Sequence, residues 1–130
     1  MDLVDRFAQA LDEEDYGVAA LCLATDAEYD SGDKVFYGVD AILDSFKQAA
    51  ENGRKTFDSV VFAHEISTQA PTDIRFLDIL SRNGAEFVLD HTMHVTISDR
   101  GRISHLRLTY PPGERERLRA FLDKTAGAQP

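Results

Sequence analysis

The spacing of apolar residues changes near residue 55, and this change constrains the fold more than any other feature of the sequence. Before it, apolar residues recur every three to four positions, which is typical of amphipathic helices. After it, they alternate with polar residues, which is typical of half-buried strands. Helices are predicted over residues 2–14, 16–24 and 39–51, with short extended segments at 27–31 and 35–37.

The boundaries of these helices follow from local signals. The third helix is predicted to end at Asn52-Gly53, a pair that favours a left-handed helix exit. In the first helix, apolar positions such as Phe7 face inward, whereas Asp12 falls on the opposite, polar face. Cys22 lies on the apolar side of the second helix, so we interpret it as a packing residue.

The second half predicts long strands joined by hairpins. These strands cover residues 56–68, 73–81, 85–98 and 102–110. Asn83-Gly84 is the strongest hairpin signal, and a two-residue turn there would place Asp78 opposite Leu89 and His91 opposite Phe76. A short, charged amphipathic helix follows at 114–124. Helices followed by hairpin-linked strands indicate an α+β fold.

Length and composition narrow the class of protein. A chain of 130 residues predicts one domain, here residues 1–112, with residues 113–130 forming a C-terminal amphipathic helix and a short tail. With 14 basic and 23 acidic residues, the net charge of −9 argues against nucleic acid as a partner. No apolar run is long enough to cross a membrane. A single cysteine and the absence of a secretory signal favour the cytoplasm.

Four short motifs occur in an order that resembles the nuclear transport factor 2-like (NTF2-like) superfamily, in particular its SnoaL-like polyketide cyclases and ketosteroid isomerases. The motifs are Val4–Leu11, Ala24–Tyr29, Tyr37–Ile42 and Ser98–Ile103. The resemblance implies a cone-shaped, curved antiparallel sheet wrapped around three N-terminal helices, with an apolar pocket inside. It also implies a homodimer through the outer sheet face, and the short C-terminal helix is an addition to it.

The resemblance does not carry over the catalytic residues of the ketosteroid isomerases. Their general-base position falls on Ser31, and their two proton-donor positions fall on Phe7 and Met93. A serine does not remove a carbon-bound proton, and neither Phe7 nor Met93 can donate to an enolate oxygen. Motifs for a metal, a nucleotide or another cofactor are also missing, so we expect none.

Asp78 and His91 are the candidate catalytic residues. Alternation places both on the inner sheet face as diagonal neighbours, roughly 5.5–8 Å apart between Cβ atoms. An aspartate on an apolar wall would fix the histidine tautomer and make the ring a general acid or base, and the SnoaL-like cyclases also use these residue types. The pair could instead be structural, and a one-residue slip would send Asp78 to solvent. Candidate ligand-binding residues are Tyr29, Ser31, Phe46, Phe76, Met93 and Tyr110.

Three hypotheses about function remain open from the sequence. The first is a cyclase, isomerase or dehydratase that acts without a cofactor on a small, mostly apolar carbonyl compound. The second is a non-catalytic binder of such a molecule. The third is an interaction domain whose cone is filled by its own side chains, including Phe7, Phe46, Phe76 and Phe87. A cavity of several hundred Å³ would favour the first two.

Overall fold

Residues 2–126, which the computed structural model describes, form four helices and one six-stranded sheet. The helices are α1 (Leu3–Asp12), α2 (Tyr16–Cys22), α3 (Val39–Thr56) and α4 (Glu114–Ala126). The strands are β1 (Leu23–Asp30), β2 (Val35–Tyr37), β3 (Ser59–Glu65), β4 (Asp73–Arg82), β5 (Ala85–Ile97) and β6 (Ile103–Thr109). Residues 127–130 of the predicted C-terminal tail lie outside the described residues. No helix within residues 2–126 combines the length and apolar character needed to cross a bilayer.

Two aspartates determine where the first helices begin. The side chain of Asp2 accepts a hydrogen bond from the Asp5 amide at 2.8 Å, which caps α1. Asp15 does the same for the Val18 amide at 3.2 Å, which caps α2. Each cap satisfies an amide that the first helical turn leaves without a partner. Asp15 thereby fixes the point at which the short loop after α1 enters α2.

The strand order in the sheet is β2-β1-β6-β5-β4-β3. The sheet is mixed, because β1 runs parallel to β6 while the other neighbouring strands are antiparallel. We expected a fully antiparallel sheet, and the parallel pairing of β1 with β6 shows that this detail was wrong. About 70 residues of chain separate β1 from β6, so no hairpin imposes an antiparallel direction on them.

The β4–β5 hairpin confirms the predicted turn and register. Asn83 and Gly84 have φ angles of 51° and 81°, the left-handed backbone that a two-residue hairpin turn requires. Asp78 pairs with Leu89 and Phe76 pairs with His91, as the turn predicted. The side chains of Asp78 and His91 therefore lie on the inner face of the sheet, which packs against the helices.

The prediction that Asn52-Gly53 ends the third helix is wrong. α3 continues to Thr56, and Gly53 does not adopt a positive φ. The helix ends where Phe57 turns to an extended backbone, with its amide bonded to the Gly53 carbonyl at 2.8 Å. The Phe57 ring lies 6.4 Å from that of Phe121, so the residue that follows α3 packs against α4.

The hydrophobic core has two parts. The larger part joins α1, α2 and α3 to the inner sheet face and contains Cys22 among its buried residues. The smaller part consists of Leu80, Phe87 and Phe121. In it, Phe121 of α4 packs on the β4–β5 hairpin. Glu114 is also buried and accepts a hydrogen bond from the Asp90 amide at 2.7 Å. α4 is therefore attached to the sheet by apolar and polar contacts.

Candidate functional site

A cavity of about 290 Å³ lies between the inner sheet face and helices α1, α3 and α4. Most of its wall is aromatic or aliphatic, with Leu118 contributed by α4. Its polar side chains are Asp12, Tyr16, Tyr29, Asp78, His91 and Tyr110. The volume is at the small end of the range for ligand pockets, which is roughly 300–1,000 Å³. An apolar cavity with few polar groups is the usual form of a small-molecule site.

Asp78 and His91 form a hydrogen-bonded pair in this wall. Asp78 Oδ2 lies 3.1 Å from His91 Nε2, and the two side chains are only 18% and 15% exposed. An ionised carboxylate only accepts hydrogen bonds, so it favours the tautomer that carries its proton on Nε2. Nδ1 then holds the lone pair, and this atom is buried without a hydrogen-bond partner among the described residues.

The ring of His91 is held between two aromatic side chains. Its centroid lies 5.7 Å from that of Phe76 and 5.7 Å from that of Tyr110, on which it stacks. The guanidinium of Arg115 lies over the Tyr110 ring at 4.9 Å, so α4 also supports this stack. The imidazole is therefore fixed in its orientation, as a group that transfers protons requires.

Tyr29 and Tyr110, two of the three tyrosines that line the cavity, are buried enough to shift their pKa values. Burial raises the pKa of Tyr29 well above its usual value. Burial also raises the pKa of Tyr110, and the neighbouring Arg115 partly offsets this effect. Both phenols therefore stay protonated at neutral pH and can donate hydrogen bonds to an oxygen atom inside the cavity.

Seven of the eight side chains predicted from the sequence line the cavity: Tyr29, Phe46, Phe76, Asp78, His91, Met93 and Tyr110. Ser31 is not among them, contrary to its prediction as a ligand-binding residue. Its Oγ donates to the Lys34 carbonyl at 3.0 Å and thus closes the turn between β1 and β2. Tyr29 and Ser31 would share a face in a longer strand, but β1 ends at Asp30.

Sequence reasoning missed two residues, Asp12 and His64. Asp12 was predicted on the polar face of α1, yet it lines the cavity and its side chain is 17% exposed. Its Oδ2 lies 2.5 Å from His64 Nδ1, whereas its Oδ1 is buried without a partner among the described residues. A signal was available, because Val4 and Ala8 precede Asp12 at four-residue steps and both are buried.

Burial raises the pKa of Asp12, although its hydrogen bond to His64 acts in the opposite direction. The carboxylate of Asp78, which lines the same cavity, also raises the pKa of Asp12. The site thus contains two Asp–His pairs. Among residues 2–126, no three His, Cys, Asp or Glu side chains are close enough to hold a metal ion.

The inner face of the sheet aligns the two histidines. His64 on β3 is the register partner of Phe76 on β4, which is in turn the partner of His91 on β5. The His64 and Phe76 rings lie 6.5 Å apart, so Phe76 separates the two imidazoles. Asp12 reaches this row from α1, and Asp78 lies two residues further along β4. The row therefore places both histidines on the inner sheet face, and His91, Asp78 and Asp12 line the cavity.

Comparison with known proteins identifies the fold. No known protein family and no curated protein matches the sequence. Among solved structures, a protein described as a SnoaL-like polyketide cyclase from Shewanella denitrificans OS-217 is 12% identical, with a TM-score of 0.67 over 91% of this chain and 95% of that one. TerC, co-crystallised with polyporic acid, is 11% identical, with a TM-score of 0.66 over 93% and 95%.

An NTF2-like protein of unknown function from Exiguobacterium sp. 255-15 is also similar. It is 14% identical, with a TM-score of 0.59 over 85% of this chain and 98% of that one. The chain therefore has the NTF2-like fold that its sequence motifs predicted. At this level of identity the comparison establishes the fold alone, and a function has to be argued from the site.

Proposed function

We propose that this protein is a SnoaL-like enzyme that moves protons on a small, mostly apolar carbonyl compound without a cofactor, as a cyclase, isomerase or dehydratase does. The observation that carries the proposal is the Asp78–His91 pair. The pair lies in the wall of a largely apolar cavity, with Nδ1 of the imidazole unpaired. A neutral histidine oriented by a carboxylate is a suitable general base near neutral pH.

In the proposed reaction, His91 Nδ1 removes a proton from a carbon atom next to the carbonyl group. The electron pair of that C–H bond moves toward the carbonyl oxygen and forms an enolate. Tyr29 and Tyr110 donate hydrogen bonds to this oxygen, where negative charge develops. Asp78 stabilises the imidazolium, which then returns the proton to another carbon atom or to a leaving hydroxyl group. No electron or proton has to come from another reactant.

The apolar residues of the cavity would hold the carbon skeleton of the substrate. The Phe46 ring packs at 5.0 Å from that of Tyr29, and Met93 is buried in the same wall. Phe76 supports the imidazole and completes this surface. Exclusion of water by such residues strengthens the electrostatic effect of the few polar groups.

The alternative is a protein that binds such a molecule without transforming it. A cavity of about 290 Å³ supports both of these functions equally. It argues against an interaction domain with a filled cone, because Phe46 and Phe76 line the cavity rather than fill it. Only a measurement of turnover distinguishes the enzyme from the binder.

The test is exchange of carbon-bound hydrogen for deuterium in 2-tetralone, followed by NMR in heavy water. We expect the protein to accelerate exchange next to the carbonyl group, and His91→Gln to reduce this acceleration by about 100-fold or more. His105→Gln is the matched control, because His105 is an exposed histidine outside the cavity. Binding of 2-tetralone without exchange would favour the binder, and the absence of both would refute the proposal.

We also propose that the protein is a homodimer through its outer sheet face. Val61, Ile79 and Val88 are register partners on that face, and Val61 and Val88 are 54% and 40% exposed. An apolar row of this kind is suited to contact with a second copy. Light scattering should give twice the 14.5 kDa chain mass, and a monomer at micromolar concentration would contradict the proposal. The unpaired, buried Cys22 is consistent with our expectation of a cytoplasmic location.

A further inference from the structure

We infer that Asp12 is a second recognition group of the cavity, and that the molecule bound there carries a hydroxyl group in addition to its carbonyl group. His64 is the positioning residue that orients Asp12. This inference rests on the proposed function, since it specifies the substrate class of the same site.

The geometry of Asp12 leaves one of its carboxylate oxygens without a partner. Oδ2 of this residue lies 2.5 Å from Nδ1 of His64 on β3. This contact fixes the orientation of the carboxylate. Oδ1 is buried and has no partner among the described residues, although the residue itself lines the cavity. A buried carboxylate oxygen without a hydrogen bond is uncommon in folded proteins. A hydroxyl group brought by a ligand would satisfy it.

The electrostatics of Asp12 differ from those of a structural ion pair. A purely structural ion pair would favour the charged form of its aspartate. Asp12 shows the opposite, because burial raises its pKa despite the contact with His64. The pair therefore does not compensate for the loss of hydration. Groups that cost stability in this way are common in functional sites.

Two polar atoms of the cavity side chains are buried without a partner among the described residues, Nδ1 of His91 and Oδ1 of Asp12. With Nε2–H of His91 donating to Asp78, Nδ1 is a hydrogen-bond acceptor, and so is Oδ1 of an ionised Asp12. One oxygen of each carboxylate already lies within hydrogen-bond distance of an imidazole, so Oδ1 of Asp12 is the carboxylate oxygen left for a ligand. The wall also offers the hydroxyl groups of Tyr29 and Tyr110 as donors, whereas that of Tyr16 already donates to Glu14. A ligand that complements all of them has a carbonyl oxygen, an acidic C–H bond and a hydroxyl group.

The test measures binding by isothermal titration calorimetry with matched probes. The probes are 2-tetralone, its isomers hydroxylated on the aromatic ring, and the methyl ethers of those isomers. In the wild-type protein, we expect the best hydroxylated isomer to bind about tenfold or more tightly than 2-tetralone and than its own ether. A hydrogen bond to a charged acceptor is typically of this strength.

The variants assign this preference to Asp12. Asp12→Leu, which removes both oxygens, should abolish the preference while 2-tetralone still binds. Asp12→Asn should reduce it, which keeps the test valid if the leucine variant does not fold. His64→Gln should weaken the preference without changing the affinity for 2-tetralone, as expected of a positioning residue. His105→Gln, a change outside the cavity, should leave every affinity unchanged.

The outcomes separate this inference from the proposed function. Equal binding of hydroxylated and unsubstituted probes, or a preference that persists in Asp12→Leu, would overturn the inference. Exchange catalysed by His91 would then still stand as a separate result. Failure of every probe to bind at millimolar concentration would refute the proposed small-molecule site, and the inference with it.

Discussion

The attachment of α4 to the β4–β5 hairpin can be tested with Phe121→Ala. Phe121 is 8% exposed, and its ring lies 5.3 Å from that of Phe87 and 6.4 Å from that of Phe57. Replacing a buried phenylalanine by alanine costs about 3–5 kcal/mol in a closed core. The lower value applies here because α4 lies near the end of the chain, where the structure relaxes more easily. We therefore expect the free energy of unfolding to fall by about 3 kcal/mol.

Urea unfolding followed by circular dichroism measures this change. A loss of about 3 kcal/mol corresponds to a Tm lower by about 10 °C for a chain of this size. Arg119→Ala, an exposed position on the same helix, is the control and should change stability by less than about 0.5 kcal/mol. Hydrogen exchange should show that α4 loses protection first. A change in Phe121→Ala as small as in the control would refute the packing of α4 on the hairpin.

Three further predictions concern charge and backbone. Asp12→Asn should raise stability at neutral pH, because the raised pKa of Asp12 means that folding disfavours its ionised form. The gain should disappear as the pH falls below 3.8, the ordinary pKa of an aspartate. Thermal unfolding at a series of pH values measures this, and a difference between the two proteins that stays constant with pH would contradict the prediction. Gly84→Ala should cost about 1–2 kcal/mol in urea unfolding, because Gly84 has a φ of 81°, and no loss would contradict the assigned turn. Arg75 lowers the pKa of Asp90, so the stability from this exposed pair is present at neutral pH and lost in acid. Arg75→Ala should therefore cost less than about 1 kcal/mol at pH 7 and nothing at pH 2, and an equal cost at both would exclude this electrostatic origin.

The sequence predicted the parts of the structure that depend on local chemistry. Asn83-Gly84 specifies a two-residue turn, and the turn determines the register of β4 and β5. Once this register is fixed, strict alternation brings Asp78 and His91 to the same face. Their hydrogen bond was therefore predictable from residues only 13 positions apart.

The features that were missed depend on contacts between distant parts of the chain. Asp12 and His64 are 52 residues apart, and no local pattern indicates that α1 crosses β3 at this point. Phe57, the residue that follows α3, packs against α4. The direction of β1 relative to β6 likewise depends on the whole fold. Periodicity identifies the buried face of an element, but it does not identify what that face contacts.

The distribution of tyrosines has a practical consequence. The sequence contains four tyrosines and no tryptophan, so its intrinsic fluorescence comes from tyrosine alone. Tyr16, Tyr29 and Tyr110 line the cavity, whereas Tyr37 is 67% exposed at the edge of the sheet. Entry of a ligand would alter the surroundings of three of the four emitters and leave those of the fourth unchanged. The unmodified protein thus carries its own optical reporter of occupancy, which allows compound libraries to be screened without a label.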